Sequence, residues 1–79
     1  MEILTTKHFD RAYVKAPPAI KRALLKQVAF LRDDLQHPSL RAKKYKAERW
    51  QARVNRDWRF YFRTKGNTYI LLDIIPHPK

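Results

Sequence analysis

Residues 50–62 read WQARVNRDWRFYF, and this stretch predicts the sheet around which the chain folds. Apolar and polar residues alternate on both sides of residues 55–57, a period of two that is typical of half-buried β-strands. A loop of two residues would place Val54 opposite Arg59 and mix the apolar and charged sides of the hairpin. A loop of three residues instead pairs Arg53 with Arg59 and gathers the apolar residues on the other face. We therefore predict an antiparallel hairpin with an apolar face, covered by helices, and an arginine-rich face.

A further strand is predicted at residues 68–75, after a turn marked by Gly66 and Asn67, which tolerate positive φ. Its residues are apolar on both faces, which is typical of a central strand and leaves its register open. The core side of this strand is assigned to Ile70, Leu72 and Ile74. Asp73 would then lie on the arginine-rich face near Arg59, and His77 would share that side.

The first half of the chain predicts a short strand followed by two helices. Residues 2–5 read as the strand, after which Thr5 or Thr6 can cap a helix that must end near Ala16, because Pro17 disfavours helical backbone before it. The second helix follows from apolar residues spaced four, four, three and four apart. These residues are Ile20, Leu24, Val28, Leu31 and Leu35. Residues 36–39, reading QHPS, end this helix.

The order of elements predicts an α+β fold: an N-terminal strand, a two-helix hairpin, then an antiparallel-rich sheet of three to four strands. Residues 41–46 are either a weak edge strand or a basic loop. A chain of 79 residues supports one core, so residues 1–79 are expected to form a single domain.

Composition excludes several classes of protein. The chain has no cysteine, which rules out disulfides and thiolate zinc sites and fits a reducing cytoplasm. We expect neither secretion nor a membrane span, because the longest apolar run, YILLDIIP, is short and contains Asp73. With a single glycine there is no glycine-rich phosphate loop, so we expect no nucleotide cofactor.

The charge of the chain predicts an anionic partner. Lys and Arg number 18 against 7 Asp and Glu, a net charge of +11, while 44% of residues are hydrophobic, which argues against disorder. Residues 41–65 hold ten of the basic residues and only two acidic ones. Such a patch attracts phosphates by counterion release, although nucleic acid and an acidic protein both satisfy it.

The facing arginines predict a phosphate-binding site. Like charges directly opposite each other cost a few tenths to about 1 kcal/mol, so the pair calls for a reason. Arginine binds phosphate through two parallel hydrogen bonds, and Arg53, Arg59 and Arg63 could hold a phosphodiester while Tyr61 stacks on a base. The structural alternative is a solvated strand face whose charges prevent aggregation. Further candidate phosphate contacts are Lys43, Lys44, Lys46 and Lys79.

His77 is the candidate for proton transfer. It follows the strand that adjoins the arginine pair, and an imidazole beside a phosphate can donate or accept a proton. A packing or surface role is the alternative, and a histidine without further ligands predicts no metal site. His8 and His37 are interpreted as surface or turn residues. Both tryptophans are assigned to the core rather than to base stacking.

The strings RVNRDWRFYF and GNTYILLDIIPHPK, in this order of elements, resemble the RelE/ParE superfamily of toxins from bacterial toxin–antitoxin pairs. The early FDRAY helix, the P-x-x-I start of the second helix and HPSLRAKKYK before the sheet extend the resemblance over nearly the whole chain. It implies a helical hairpin on an antiparallel-rich sheet and an acidic antitoxin bound in a hetero-oligomer. RelE-like members cut mRNA in the translating ribosome without a metal, whereas ParE-like members poison DNA gyrase.

The resemblance also implies roles for individual residues. Arg59 matches the arginine that stabilises the scissile phosphate, Arg53 stands near a basic position of the preceding strand, and His77 resembles a histidine found after the last strand. A 2′-hydroxyl would attack the adjacent phosphate while His77 or Lys79 moves a proton. Gln51 departs from an often basic position, and no Tyr or second Arg follows Lys79. A gyrase inhibitor or a catalytically silent antitoxin-binding module therefore stays open as the alternative.

Overall fold

A computed structural model describes residues 1–77, which form two helices and a five-stranded sheet. In chain order the elements are β1 (Glu2–Thr5), α1 (Lys7–Lys15), α2 (Pro18–Asp33), β2 (Lys43–Lys46), β3 (Arg49–Arg53), β4 (Trp58–Lys65) and β5 (Thr68–Pro76). The sheet order is β1-β5-β4-β3-β2, with β1 parallel to β5 and every other pair antiparallel. The predicted α+β fold is confirmed, and the sheet has five strands because β2 forms its edge.

Both helices begin where local chemistry predicts, and α1 ends there too, whereas α2 ends earlier than predicted. The Thr6 hydroxyl accepts a hydrogen bond from the Phe9 backbone N–H at 3.1 Å and caps α1. Pro17 precedes α2 and Pro18 is its first residue. Proline has no backbone N–H, which costs nothing here because the first N–H groups of a helix have no partner within the helix. The helix ends at Asp33, so Leu35 lies beyond it rather than in its apolar stripe. Neither helix of residues 1–77 is long and apolar enough to cross a membrane.

Both helices cover one face of the sheet and bury a single core. The most deeply buried side chains are Phe60, Phe62, Leu24, Leu31 and Leu40. The helices contribute residues at their predicted spacing, and the strands contribute every second residue. Trp50 and Trp58 are half-buried and pack against this core, as predicted. Because the buried residues of both helices pack on one face, the arginine-bearing face of β3 and β4 does not take part in this core.

The β3–β4 hairpin has the predicted register. Trp50 pairs with Phe62 and Arg53 pairs with Arg59, on opposite faces. The Asn55 side chain closes the turn. Its Oδ1 accepts hydrogen bonds from the backbone N–H groups of Asp57 at 2.9 Å and Trp58 at 3.0 Å. The loop of three residues, argued from side-chain facing, is therefore confirmed.

The predicted core side of β5 is wrong for its first half. The pairing runs from Tyr61 opposite Asp73 to Phe62 opposite Leu71, so Leu72 is an extra residue that forms a β-bulge. A bulge reverses the alternation of side chains, so the buried residues are Tyr69 and Leu71 before it and Ile74 after it. Of the three residues assigned to the core, Ile70 and Leu72 are only half-buried.

Candidate nucleic-acid interface

The sheet face opposite the helices is rich in arginine, and we call it the basic face. It is defined by Arg49, Arg53, Arg59, Tyr61 and Arg63, which alternate along β3 and β4 with buried apolar residues. Arg49 pairs with Arg63 as Arg53 does with Arg59, so two arginine pairs lie on adjacent strands of this face. The buried residues of α1 and α2 pack on the other side of the sheet, and His8 of α1 reaches the edge of the basic face beside β5.

Arg59 is held in place by its own hairpin loop. Its Nη1 donates hydrogen bonds to the backbone carbonyls of Asn55 and Trp58, both at 3.0 Å, with a longer contact of 3.4 Å to Arg56. Only Nη1 takes part, and within residues 1–77 no protein acceptor contacts Nε or Nη2. The loop therefore orients the guanidinium while leaving donors for an external oxyanion.

Arg53 lies in a desolvated and positively charged environment. Burial, followed by the charges of Arg41 and Arg59, lowers the pKa of Arg53 from its usual value. Within residues 1–77 the Nε atoms of Arg53 and Arg63 are buried and have no hydrogen-bond partner. Unpaired buried donors and clustered charge are both unfavourable, and a bound anion would relieve both.

Within residues 1–77 no acidic side chain forms a salt bridge with the arginines of this face. Within residues 1–77 the single contact of salt-bridge length between a basic and an acidic side chain joins His8 Nε2 to Asp73 Oδ1 at 3.2 Å. No Lys or Arg of those residues approaches a carboxylate closely enough to form one. The site predicted from the facing arginines is therefore open to a phosphate rather than filled by the protein's own carboxylates.

The lysines of β2 divide between the two sides of the sheet edge. Lys43 pairs with Gln51 beside the basic face, whereas Lys44 pairs with Trp50 on the helix side. Lys46 pairs with Arg49 beyond a register shift in β2. The structure therefore brings Lys43 and Lys46 to the rim of the basic face but does not bring Lys44 there.

His77 follows β5 at the end of the sheet where the arginine pair lies. Its backbone N–H donates to the Asp57 carbonyl at 2.7 Å, and its side chain is exposed. Arg59 pairs with Ile75, two residues before His77. The backbone of His77 therefore lies near that of Arg59. The proton-transfer role of His77 stays a prediction. Lys79 lies outside the described residues.

The other histidines have the surface and turn positions predicted for them. His37 stacks on Phe30 with ring centroids 3.8 Å apart, and its Nδ1 accepts a hydrogen bond from Ser39 N–H at 3.1 Å. His8 is exposed on α1 and holds Asp73. Within residues 1–77 no three His, Cys, Asp or Glu side chains cluster as metal ligands do.

Sequence reasoning missed a groove on the basic face. It has a volume of about 410 Å³ and is lined by His8, Tyr45, Arg49, Tyr61, Leu72, Asp73 and Ile75. The rings of Tyr45 and Tyr61 meet edge to face with centroids 5.7 Å apart. Tyr45 lies where β2 shifts register, and Leu72 is the bulge of β5, so two irregularities place these residues together. The alternation of apolar and polar residues in the sequence predicts neither the register shift of β2 nor the bulge of β5.

Comparison with known proteins places the fold. No model of a known protein family matches the sequence. No curated protein matches it either. Solved structures do match. A YoeB/ParE toxin from Agrobacterium tumefaciens superposes with a TM-score of 0.83 at 14% identity, over 99% of this chain and 100% of that chain.

Two further structures agree with this. A chain of the RelB–RelE antitoxin–toxin complex from Methanococcus jannaschii has a TM-score of 0.78 at 18% identity, over 92% of this chain and 88% of that chain. YafQ from E. coli strain BL21(DE3) has a TM-score of 0.80 at 14% identity, over 96% of this chain and 92% of that chain. At such identities the likeness shows a shared fold, and the fold predicted from the resemblance to RelE/ParE toxins is confirmed.

Proposed function

We propose that this chain is the toxin of a toxin–antitoxin pair and that it cuts mRNA bound in the ribosome without a metal ion. The observation that supports this most directly is the Arg53–Arg59 pair. These residues face each other on the uncovered side of the sheet, and within residues 1–77 no carboxylate pairs with them. The shared fold with a YoeB/ParE toxin and with a chain of the RelB–RelE antitoxin–toxin complex supports the toxin role.

The proposed reaction uses the RNA's own nucleophile. A 2′-oxygen attacks the adjacent phosphorus as its proton leaves, a new P–O2′ bond forms, and the P–O5′ bond breaks while the departing oxygen takes up a proton. Arg53 and Arg59 offset the negative charge that develops on the phosphoryl oxygens. His77 and Lys79 are the candidates for moving protons, and Arg63, Tyr61 and the lysine rim hold the RNA.

An acidic antitoxin is the proposed protein partner, in a hetero-oligomer formed in the cytoplasm. The net charge of +11 and the unneutralised basic face favour an acidic segment. Two of the matching structures, from Methanococcus jannaschii and Staphylococcus aureus, are described as antitoxin–toxin complexes. The ribosome and mRNA are the proposed targets of the free toxin.

A second function is favoured by the hydrogen bonds of Arg59. Its Nη1 is already occupied by loop carbonyls, which reduces the donors left for a scissile phosphate. A catalytically silent module that only binds antitoxin, or a gyrase inhibitor, needs the charge of this face but not a free guanidinium fork.

Induced expression of the Arg59→Ala variant in bacterial cells tests the proposal. We expect growth arrest to be relieved, because loss of one charge-stabilising group costs on the order of 10²-fold or more in rate. Mapping of mRNA ends by primer extension should show codon-phased cuts with the wild type and none with the variant. A supercoiling assay run in parallel detects gyrase inhibition.

Control variants separate function from folding. Arg22→Ala removes the same charge from an exposed position on α2 and should remain toxic. Arg53→Ala removes an arginine whose guanidinium makes no hydrogen bond within residues 1–77, so it should relieve arrest with unchanged circular dichroism. If Arg59→Ala and Arg53→Ala arrest growth as strongly as wild type, the phosphate site is wrong. Inhibited supercoiling with intact mRNA would favour the second function.

A further inference from the structure

The groove beside the arginine pair contains a carboxylate, although the rest of the face suits an anion. Asp73 pairs with Tyr61 in the β4–β5 ladder and so lies on the same side of the sheet as Arg53 and Arg59. A negative charge at this place repels a phosphate backbone and lowers its affinity. Its presence among unpaired arginines calls for a specific partner that carries a hydrogen-bond donor.

The Asp73 carboxylate is held in a fixed orientation. Its Oδ1 accepts a hydrogen bond from the Ile74 backbone N–H at 2.8 Å and lies 3.2 Å from His8 Nε2. Within residues 1–77 no donor contacts Oδ2. One oxygen is therefore anchored, while the other has full acceptor capacity for a ligand.

The walls of the groove suit a flat aromatic ligand. Tyr45 and Tyr61 provide aromatic rings at right angles to each other, and Leu72 and Ile75 provide apolar contacts. The volume of about 410 Å³ lies in the range of small-molecule sites and exceeds what one nucleobase needs. Stacking on tyrosine is worth about 1–3 kcal/mol per base and does not depend on which base is bound. The carboxylate is the element of this groove that can distinguish the bases.

We propose that this groove is a nucleobase subsite in which Asp73 selects a base with amino or imino N–H donors, and selects guanine best. Guanine presents adjacent N1–H and N2–H donors on one edge, and the free Oδ2 of Asp73 can accept a hydrogen bond from both of them. Cytosine and adenine offer an amino group without a neighbouring donor, and uracil presents carbonyl oxygens on both sides of its single N–H. His8 is a positioning residue that fixes the carboxylate.

The distance along the sheet fits one nucleotide. Tyr61, which pairs with Asp73, is two residues from Arg59 on the same strand, a separation of about 6.8 Å. A base in the groove therefore places its phosphate near the Arg53–Arg59 pair. This inference rests on the proposed function, since it defines which nucleotide that site holds beside the phosphate.

Binding of the four nucleoside 5′-monophosphates to the purified full chain, followed by NMR, tests the subsite. We expect 5′-GMP to bind roughly tenfold more tightly than 5′-UMP, with 5′-CMP and 5′-AMP between them. Asp73→Asn keeps an acceptor for Ile74 and His8 but replaces the free oxygen with an amide donor. It should reduce the ratio of GMP to UMP affinity to about one or below, because the amide can donate to a uracil carbonyl.

The ratio is the informative quantity, since removal of a negative charge strengthens binding of every phosphate. Asp33→Asn makes the same change of charge at an exposed position near the end of α2 and should leave the ratio unchanged. Equal affinities in the wild type, or an unchanged ratio in Asp73→Asn, would overturn the subsite. If the four nucleotides bind equally and Arg59→Ala weakens all of them, the phosphate site stands alone. If no nucleotide perturbs the basic face, both proposals fail.

Discussion

Replacement of Gln27 by leucine should lower the free energy of unfolding by about 2 kcal/mol. Gln27 is a buried polar residue of α2, and its Nε2 donates to the Arg53 carbonyl at 2.8 Å and to the Ser39 carbonyl at 2.9 Å. Its Oε1 accepts from the Ser39 hydroxyl at 2.9 Å. The side chain thus joins α2 to the loop before the sheet and to the strand that carries Arg53.

The magnitude follows from the burial of each partner. The Arg53 carbonyl loses the hydrogen bond that Gln27 Nε2 donates to it, which costs about 1–3 kcal/mol where the carbonyl is shielded from water. Ser39 is exposed, so its carbonyl and hydroxyl regain hydrogen bonds to water and contribute little. A domain of 79 residues has about 4–12 kcal/mol of stability in total, so about 2 kcal/mol is a large share of it.

Urea unfolding measures this loss directly. Trp50 and Trp58 are half-buried against the core, so their fluorescence reports the transition. Gln36→Leu is the matched control, because it makes the same substitution at an exposed position. If the midpoints of Gln27→Leu and Gln36→Leu coincide at equal m-values, the bridging role of Gln27 is refuted.

Two further predictions concern stability. Thr6→Ala should lower the unfolding free energy by about 1 kcal/mol, because the Phe9 N–H loses its cap, while Thr5→Ala, exposed in β1, should change the urea midpoint little. Burial and, secondarily, the charge of Asp34 raise the pKa of Tyr69 above its ordinary value. The unfolded chain therefore ionises first, and the contribution of Tyr69 is present below about pH 10 and lost above it. Urea midpoints measured between about pH 8 and 11 should fall less steeply for Tyr69→Phe, and equal slopes would contradict this reasoning.

The sequence predicted the hairpin and the arginine pair because one constraint determined both. Any even loop between β3 and β4 would have brought arginines to the buried face, and the cost of burying an unpaired charge excludes that register. The start of each helix and the end of α1 followed equally from Thr6 and the two prolines, whereas the end of α2 at Asp33 did not. Where a wrong arrangement carries a large free-energy cost, the order of apolar and polar residues was enough to predict the structure.

The weaker predictions concern β2 and the lysines it carries. Residues 41–46 have no apolar alternation, so the pattern left a strand and a loop open, and the strand forms by pairing with β3 at the sheet edge. Its register shift turns Tyr45 towards Tyr61 and separates Lys43 from Lys44. Backbone pairing at an edge depends on the neighbouring strand rather than on the sequence of the edge itself.

The bulge at Leu72 explains why side-chain alternation predicted the wrong core side for the first half of β5. It also explains why the groove exists. An unbroken strand that buried Tyr69 and Leu71 would also bury Asp73, whereas one that exposed Asp73 would remove Tyr69 from its contact with Phe62, where the rings meet at 5.5 Å. One extra residue satisfies both demands, because it buries Tyr69 before the bulge and turns Asp73 outward after it. The same irregularity places Leu72 in the wall of the groove beside Asp73. Packing of the core and formation of the proposed base site are therefore two consequences of one shift in register.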